Sequence, residues 1–104
     1  MAKQPETKFK ERIRPFIDAL PNAWFEKIQQ KSIRGTPDFL GTIRGRFFAI
    51  ELKIDGESPD ALQDYKLTQI AEAGGIGLVV TPSNWKVTYA KLCKYANEGE
   101  LVFH

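Results

Sequence analysis

Two short stretches, Gly35-Thr36-Pro37-Asp38 and Glu51-Leu52-Lys53, place two acids and an amine at a spacing that suits a divalent metal ion. Along Phe47 to Ile54, side chains of an extended strand alternate between two faces. Phe48, Ile50, Leu52 and Ile54 form one continuous apolar face. Glu51 and Lys53 share the other, with small Ala49 leaving room beside them. A charged residue inside an apolar strand costs free energy unless it is paired or metal-bound. Carboxylates supply the oxygen ligands that a hard cation such as Mg²⁺ takes. A lysine beside them can orient a water or offset charge developing on a phosphate. The competing reading is structural. Asp38 would then cap a β-bend, and Glu51–Lys53 or Asp38–Lys53 would be an ion pair on an exposed sheet face.

The elements that must position these residues are legible in the pattern. Phe9, Ile13, Phe16, Ile17 and Leu20 recur at helical spacing over Glu6 to Leu20, with Pro15 expected to kink the helix or divide it. Ala23 to Ile28 reads as a first strand, Asp38 to Ile43 as a second and Arg46 to Ile54 as a third, with Arg44-Gly45 as the tight turn between the last two. Asp55-Gly56-Glu57 is a loop. Ser58-Pro59 reads as the N-cap and first position of a helix running to Ala73 and stopped by Gly74-Gly75. Ile76 to Thr81 is a short apolar strand of the kind buried on both sides. A last helix follows from about Asn84 to Ala96, and Leu101 to Phe103 can add an edge strand. The order α-β-β-β-α-β-α predicts an α/β fold: a three-layer-like sandwich with a central mixed sheet flanked by helices.

Asp38, Glu51 and Lys53, with Gln63 in Ser58-Pro59-Asp60-Ala61-Leu62-Gln63, resemble the pattern of the PD-(D/E)XK nuclease superfamily. Within it the chain looks most like the virus-type replication-repair nuclease (VRR-NUC) domain, in the stand-alone, phage-like, Holliday-junction-resolving form. Ala71-Glu72-Ala73-Gly74-Gly75 before an apolar strand fits the same architecture, so the resemblance runs from Glu6 to about Trp85. It implies a restriction-endonuclease-like core and a metal-dependent DNA endonuclease that uses Mg²⁺, with Mn²⁺ as a substitute. Asp38 and Glu51 would hold the ion, helped by the Leu52 carbonyl. Lys53 would position the attacking water or balance charge, and Gln63 would complete the hydrogen bonding. A further acid is implied on the first helix. Glu6 matches the expected spacing to Phe9 and Ile13 better, and Glu11 is the second candidate. The implied partners are branched DNA, as a Holliday junction or flap, and a second copy of the chain in a homodimer. Two rival readings stay open: a sequence-specific restriction or homing-type endonuclease, and a non-catalytic DNA-binding module that retains the nuclease fold. The short chain leaves little room for a recognition domain, and the intact acids and lysine speak against the binding module.

Length and composition bound these readings. A chain of 104 residues with a net charge of +2 suits one domain, 1–104, with a single core. Its charge is uneven: residues 1–35 carry eight of the 15 Lys and Arg but only four of the 13 Asp and Glu. Lys27, Lys31 and Arg34 lead into Asp38, and Arg44 and Arg46 follow it, so basic residues are expected to line the approach of a polyanion. Otherwise they form an ordinary solvated face. Gly41-Thr42-Ile43-Arg44-Gly45 lacks the Lys-Ser/Thr ending of a phosphate-binding loop, so no nucleotide cofactor is expected. The single histidine, His104, leaves no base for a Ser-His-Asp arrangement. Cys93 is the sole cysteine and reads as a buried small apolar residue in a helix, consistent with a reducing cytosol. Trp24, Phe25 and Phe39 are expected in the core. Met1 to Glu11 is polar and no run reaches the length of a membrane span, so a cytoplasmic protein of a bacterial or phage-infected cell is expected, with no membrane partner.

Overall fold

Helical and strand periodicities give seven elements: α1 (Pro5–Asp18), β1 (Ala23–Lys27), β2 (Phe39–Ile43), β3 (Arg46–Leu52), α2 (Ala61–Glu72), β4 (Ile76–Val80) and α3 (Trp85–Glu98). They come from a computed structural model that describes residues 3–28 and 34–103. The sheet has the spatial order β1-β2-β3-β4. Its first three strands are antiparallel neighbours. β4 lies parallel to β3, which requires the crossover that α2 supplies. The fold is therefore the α/β arrangement expected from the sequence, with a mixed sheet between helices.

One face of the sheet carries the core. Phe9, Ile13 and Ile17 of α1 pack against Phe39, Ile50, Leu52 and Val80. Leu92, Tyr95 and Ala96 of α3 pack against Ile43 and Phe48. The alternating apolar residues of β3 thus face α1 and α3, as their period-two spacing requires. On the opposite face α2 lies against β4, with Leu67 directly over Gly77. Among the described residues no helix is long and apolar enough to cross a membrane.

The β2–β3 hairpin sets the register on which the site depends. Arg44 and Gly45 have φ of 51° and 81°, the two left-handed positions of a type I′ turn, whose twist matches that of the strands it joins. A non-glycine residue in that region costs roughly 1–2 kcal/mol. The Arg44 guanidinium makes a compensating contact, donating to the Ala96 carbonyl at 3.3 Å, where the Asn22 side-chain amide also donates at 2.9 Å. That carbonyl lies in the last turn of α3, where a helix leaves its oxygens without partners.

Several boundaries differ from the sequence expectations. Pro15 falls within the last turn of α1, which stays a single helix. β3 ends at Leu52, because the chain turns at Asp55-Gly56 with Glu57 N donating to Ile54 O. α2 opens at Asp60, not Ser58-Pro59. The Asp60 carboxylate accepts from Gln63 N while the Asp60 amide donates to the Gln63 side chain, a reciprocal capping box. β4 is an edge strand, mostly half-buried, with only Val80 fully buried. Residues 101–103 form no strand; instead Phe103 packs edge-on against Phe48 at 5.6 Å. Phe39 is buried and Phe25 half-buried in the core, but Trp24 is 62% exposed, on the side of β1 away from α1. Cys93 is half-buried on the flank of α3.

Candidate metal centre

Asp38 reaches the site by a tightly packed approach. Gly35 has φ of 79° and lies so close to α2 that a Cβ there would stand 2.7 Å from Leu62 Cγ. Buried Pro37 follows, and Asp38 precedes β2 directly. Phe39 is paired with Ile50 across the hairpin. One further step along the same register brings Asp38 opposite Glu51, at the cross-strand separation where side chains interact directly. Two like charges in that position repel, so the hairpin register itself creates an electrostatic problem.

The surroundings of Asp38 and Glu51 are unequal. Asp38 Oδ2 accepts the Leu52 backbone amide at 2.8 Å, and its Oδ1 pairs with Lys10 Nζ at 2.8 Å. Glu51 is only 2% exposed. Gln63 Nε2 stands at 3.5 Å from its Oε1, the outer limit of a hydrogen bond, and Oε2 has no donor. Burial, then the adjacent Asp38 carboxylate, pushes the Glu51 carboxyl up to about 9, with the Lys53 charge opposing the shift. Neutral Glu51 has the Asp38 carboxylate as its acceptor; charged Glu51 has an oxygen that nothing in the protein satisfies. Once Glu51 is deprotonated, that orphaned oxygen is one that a cation can satisfy.

Glu6 joins this pair from the first turn of α1. Glu6, Asp38 and Glu51 each offer an oxygen, and these atoms lie within 4.8 Å of one another. Burial first, and Asp38 second, raise the Glu6 carboxyl above its usual range, while Lys53 and Lys10 pull it down. The unpaired amides at the N-terminus of α1 also favour negative charge there. Lys53 is half-buried just beyond β3, its amide donating to Val80 O at 3.0 Å, and its charge is felt by both Glu6 and Glu51. An open cleft of about 280 Å³, bordered by Gln4, Pro5, Glu6, Ile54 and Glu57, gives access from one side. Three carboxylates at this spacing, one of them carrying an orphaned oxygen, offer the oxygen ligands that a hard divalent cation such as Mg²⁺ or Mn²⁺ takes.

The structure brings Glu6, Asp38, Glu51, Lys53 and Gln63 together, and leaves Glu11 outside. Glu11 is exposed and takes two hydrogen bonds from Lys3, at 2.9 and 2.8 Å. The Leu52 amide, beside the carbonyl expected to bind metal, is already committed to Asp38. Sequence reasoning missed Lys10, although it stands one helical turn after Glu6 and between the buried Phe9 and Ile13. The basic residues divide. Lys27 lies opposite Phe39, at the same end of the sheet as the acids, and exposed Arg34 begins the Gly35 approach. Arg44 and Arg46 do not border the cluster, contrary to expectation. The chain reverses between them, so a strand's length of roughly 17 Å separates them from Asp38 and Glu51. Lys31 and His104 lie outside the described residues.

Comparison with protein-family models, with curated proteins and with solved structures returns no match for this chain.

Proposed function

We propose that this chain is a divalent-metal-dependent DNA endonuclease of the VRR-NUC type, acting on branched DNA as a homodimer. One observation carries the reading: a glutamate buried to 2% exposure, with an orphaned oxygen, beside two further carboxylates and a lysine. A structural ion pair would satisfy the ionised Glu51 within the protein, and in that form Oε2 is left over. Glu6, Asp38 and Glu51 would hold Mg²⁺ or Mn²⁺. A bound divalent ion makes a water more acidic and offsets charge on a phosphate undergoing in-line attack. Lys53 places an ammonium at the same cluster, where it orients the attacking water or balances the added negative charge. Gln63, fixed by its capping box, holds Glu51 in place from the α2 side. DNA as the substrate rests on the sequence resemblance and on Lys27 and Arg34 at the acidic end of the sheet.

The deciding experiment is incubation of plasmid and synthetic four-way DNA with the purified protein in Mg²⁺, Mn²⁺ or EDTA. Cleavage in either metal, lost in EDTA and in Asp38→Asn, is the expected result. Cleavage that persists in EDTA, or none in any metal, rules the reading out.

A further inference from the structure

We propose that Lys10 is a resident counter-ion of the carboxylate cluster, holding Asp38 while no metal is bound and passing to a phosphate oxygen of the substrate when a metal takes Asp38 over. This rests on the metal-dependent nuclease reading above. Lys10 follows Glu6 by four residues on α1, so both side chains leave the same face of the helix. Its ammonium lies 2.8 Å from Asp38 Oδ1, and the pair is largely withdrawn from water, with side chains 18% and 14% exposed. Asp38 Oδ2 is occupied by the Leu52 amide. That amide is fixed by the β3 backbone, whereas the lysine amine rides on a flexible four-carbon stem.

A dication at Asp38 would stand within a few ångströms of the Lys10 ammonium, and the two repel strongly at low dielectric. Lys10 is therefore the partner that yields. Its displaced charge remains on the rim of the cluster, where a phosphodiester brought to the metal would present non-bridging oxygens. Lys53, on the other strand-borne side, serves Glu6 and Glu51. Lys10 supplies the second cation, and its loss from Asp38 is linked to metal entry.

Calorimetric titration of Mn²⁺ into the DNA-free protein tests this, alongside cleavage at saturating Mn²⁺. Lys10→Met should bind Mn²⁺ roughly tenfold more tightly, the competitor being gone, yet cleave at least about tenfold more slowly. A purely structural lysine would lower affinity, turnover and melting temperature together. Lys10→Arg, which keeps the charge and guards against loss of fold, should grip Asp38 in two-pronged fashion and bind Mn²⁺ several-fold more weakly than wild type. The proposal is overturned if folded Lys10→Met binds Mn²⁺ no more tightly than wild type, if it cleaves at the wild-type rate, or if Lys10→Arg leaves affinity unchanged. Failure of wild-type protein to bind Mn²⁺ at all, or full binding by Glu51→Gln, would instead remove the metal centre itself, and this proposal with it.

Discussion

Glu51 and Lys53 are neighbours on one short stretch, and their environments assign them opposite duties. Burial and Asp38 raise the Glu51 carboxyl from its ordinary 4.5 to about 9. Between those values the folded protein retains a proton that the unfolded chain has released. Stability from this group is therefore fully present below about 4.5 and is lost as pH rises through the folded value. Urea denaturation in EDTA between pH 5 and 9 should show metal-free protein weakening by up to about 1.4 kcal/mol per pH unit. Glu51→Gln should flatten that slope, raise stability at pH 8 by at least about 1 kcal/mol and abolish Mn²⁺ binding. A slope unchanged by Glu51→Gln would place the titrating group elsewhere. Lys53 holds no ligand position in the proposed centre. Lys53→Ala should leave Mn²⁺ affinity and DNA binding mostly intact while lowering single-turnover cleavage by a factor of about 100 or more, because a positioned cation acts chiefly in the transition state. Near wild-type cleavage by Lys53→Ala would reduce it to a structural partner.

At the scale of elements, two glycines contribute to the site by different routes. Gly45 is the second corner of the β2–β3 turn, and no atom lies within 4 Å of where its Cβ would be. Gly45→Ala should cost about 1 kcal/mol from the left-handed backbone alone, with Mn²⁺ affinity retained once folded. Gly35 has both a left-handed φ and a close neighbour in Leu62. Gly35→Ala must displace the Asp38 approach from α2, so it should cost about 2–3 kcal/mol and weaken Mn²⁺ binding as well. Urea midpoints and calorimetry on the two variants separate these effects; equal metal affinities would mean that the Gly35 loop does not position Asp38.

For the molecule as a whole, the acids and their nearest basic residues share one end of the sheet, while Arg44 and Arg46 occupy the other. Each phosphate contact contributes close to one unit to the dependence of log affinity on log salt. Lys27→Ala and Arg34→Ala should each lower that slope by about one, and Arg46→Ala should leave it unaltered; the reverse ranking would put the DNA path across the hairpin end. If the nuclease proposal holds, the one carboxylate cluster among the described residues would cut one strand at a time. Two-fold pairing would supply a second site for the second strand of a junction. Light scattering should give twice the chain mass, and a synthetic Holliday junction should be cut faster than its linear control. A monomer with equal rates on both substrates would exclude the resolvase reading and leave the nuclease reading intact.

The residues themselves determined much of this. Period-two alternation in β3 set Phe48, Ile50 and Leu52 against the helices, and the stripe Phe9, Ile13, Ile17 set the inner face of α1, because burial of apolar surface follows local periodicity. The nomination of Asp38, Glu51, Lys53 and Gln63 was legible as charge where an apolar strand should continue, together with the spacing that resembles VRR-NUC. The Asp60–Gln63 capping box was also written in the chain, and Ser58-Pro59 masked it with a second helix-start signal two residues earlier. Other features depended on contacts distant in sequence. Trp24 reads as core by type, yet among the described residues no helix covers its side of β1. Arg44 and Arg46 read as neighbours of the acids, yet a hairpin carries them a strand's length away. Lys10 meets Asp38, and Glu6 joins Asp38 and Glu51, only because α1 packs on the sheet. The ion pair on Asp38 and the orphaned oxygen of Glu51 are products of that packing, since desolvation and pairing are properties of a three-dimensional neighbourhood rather than of a residue type.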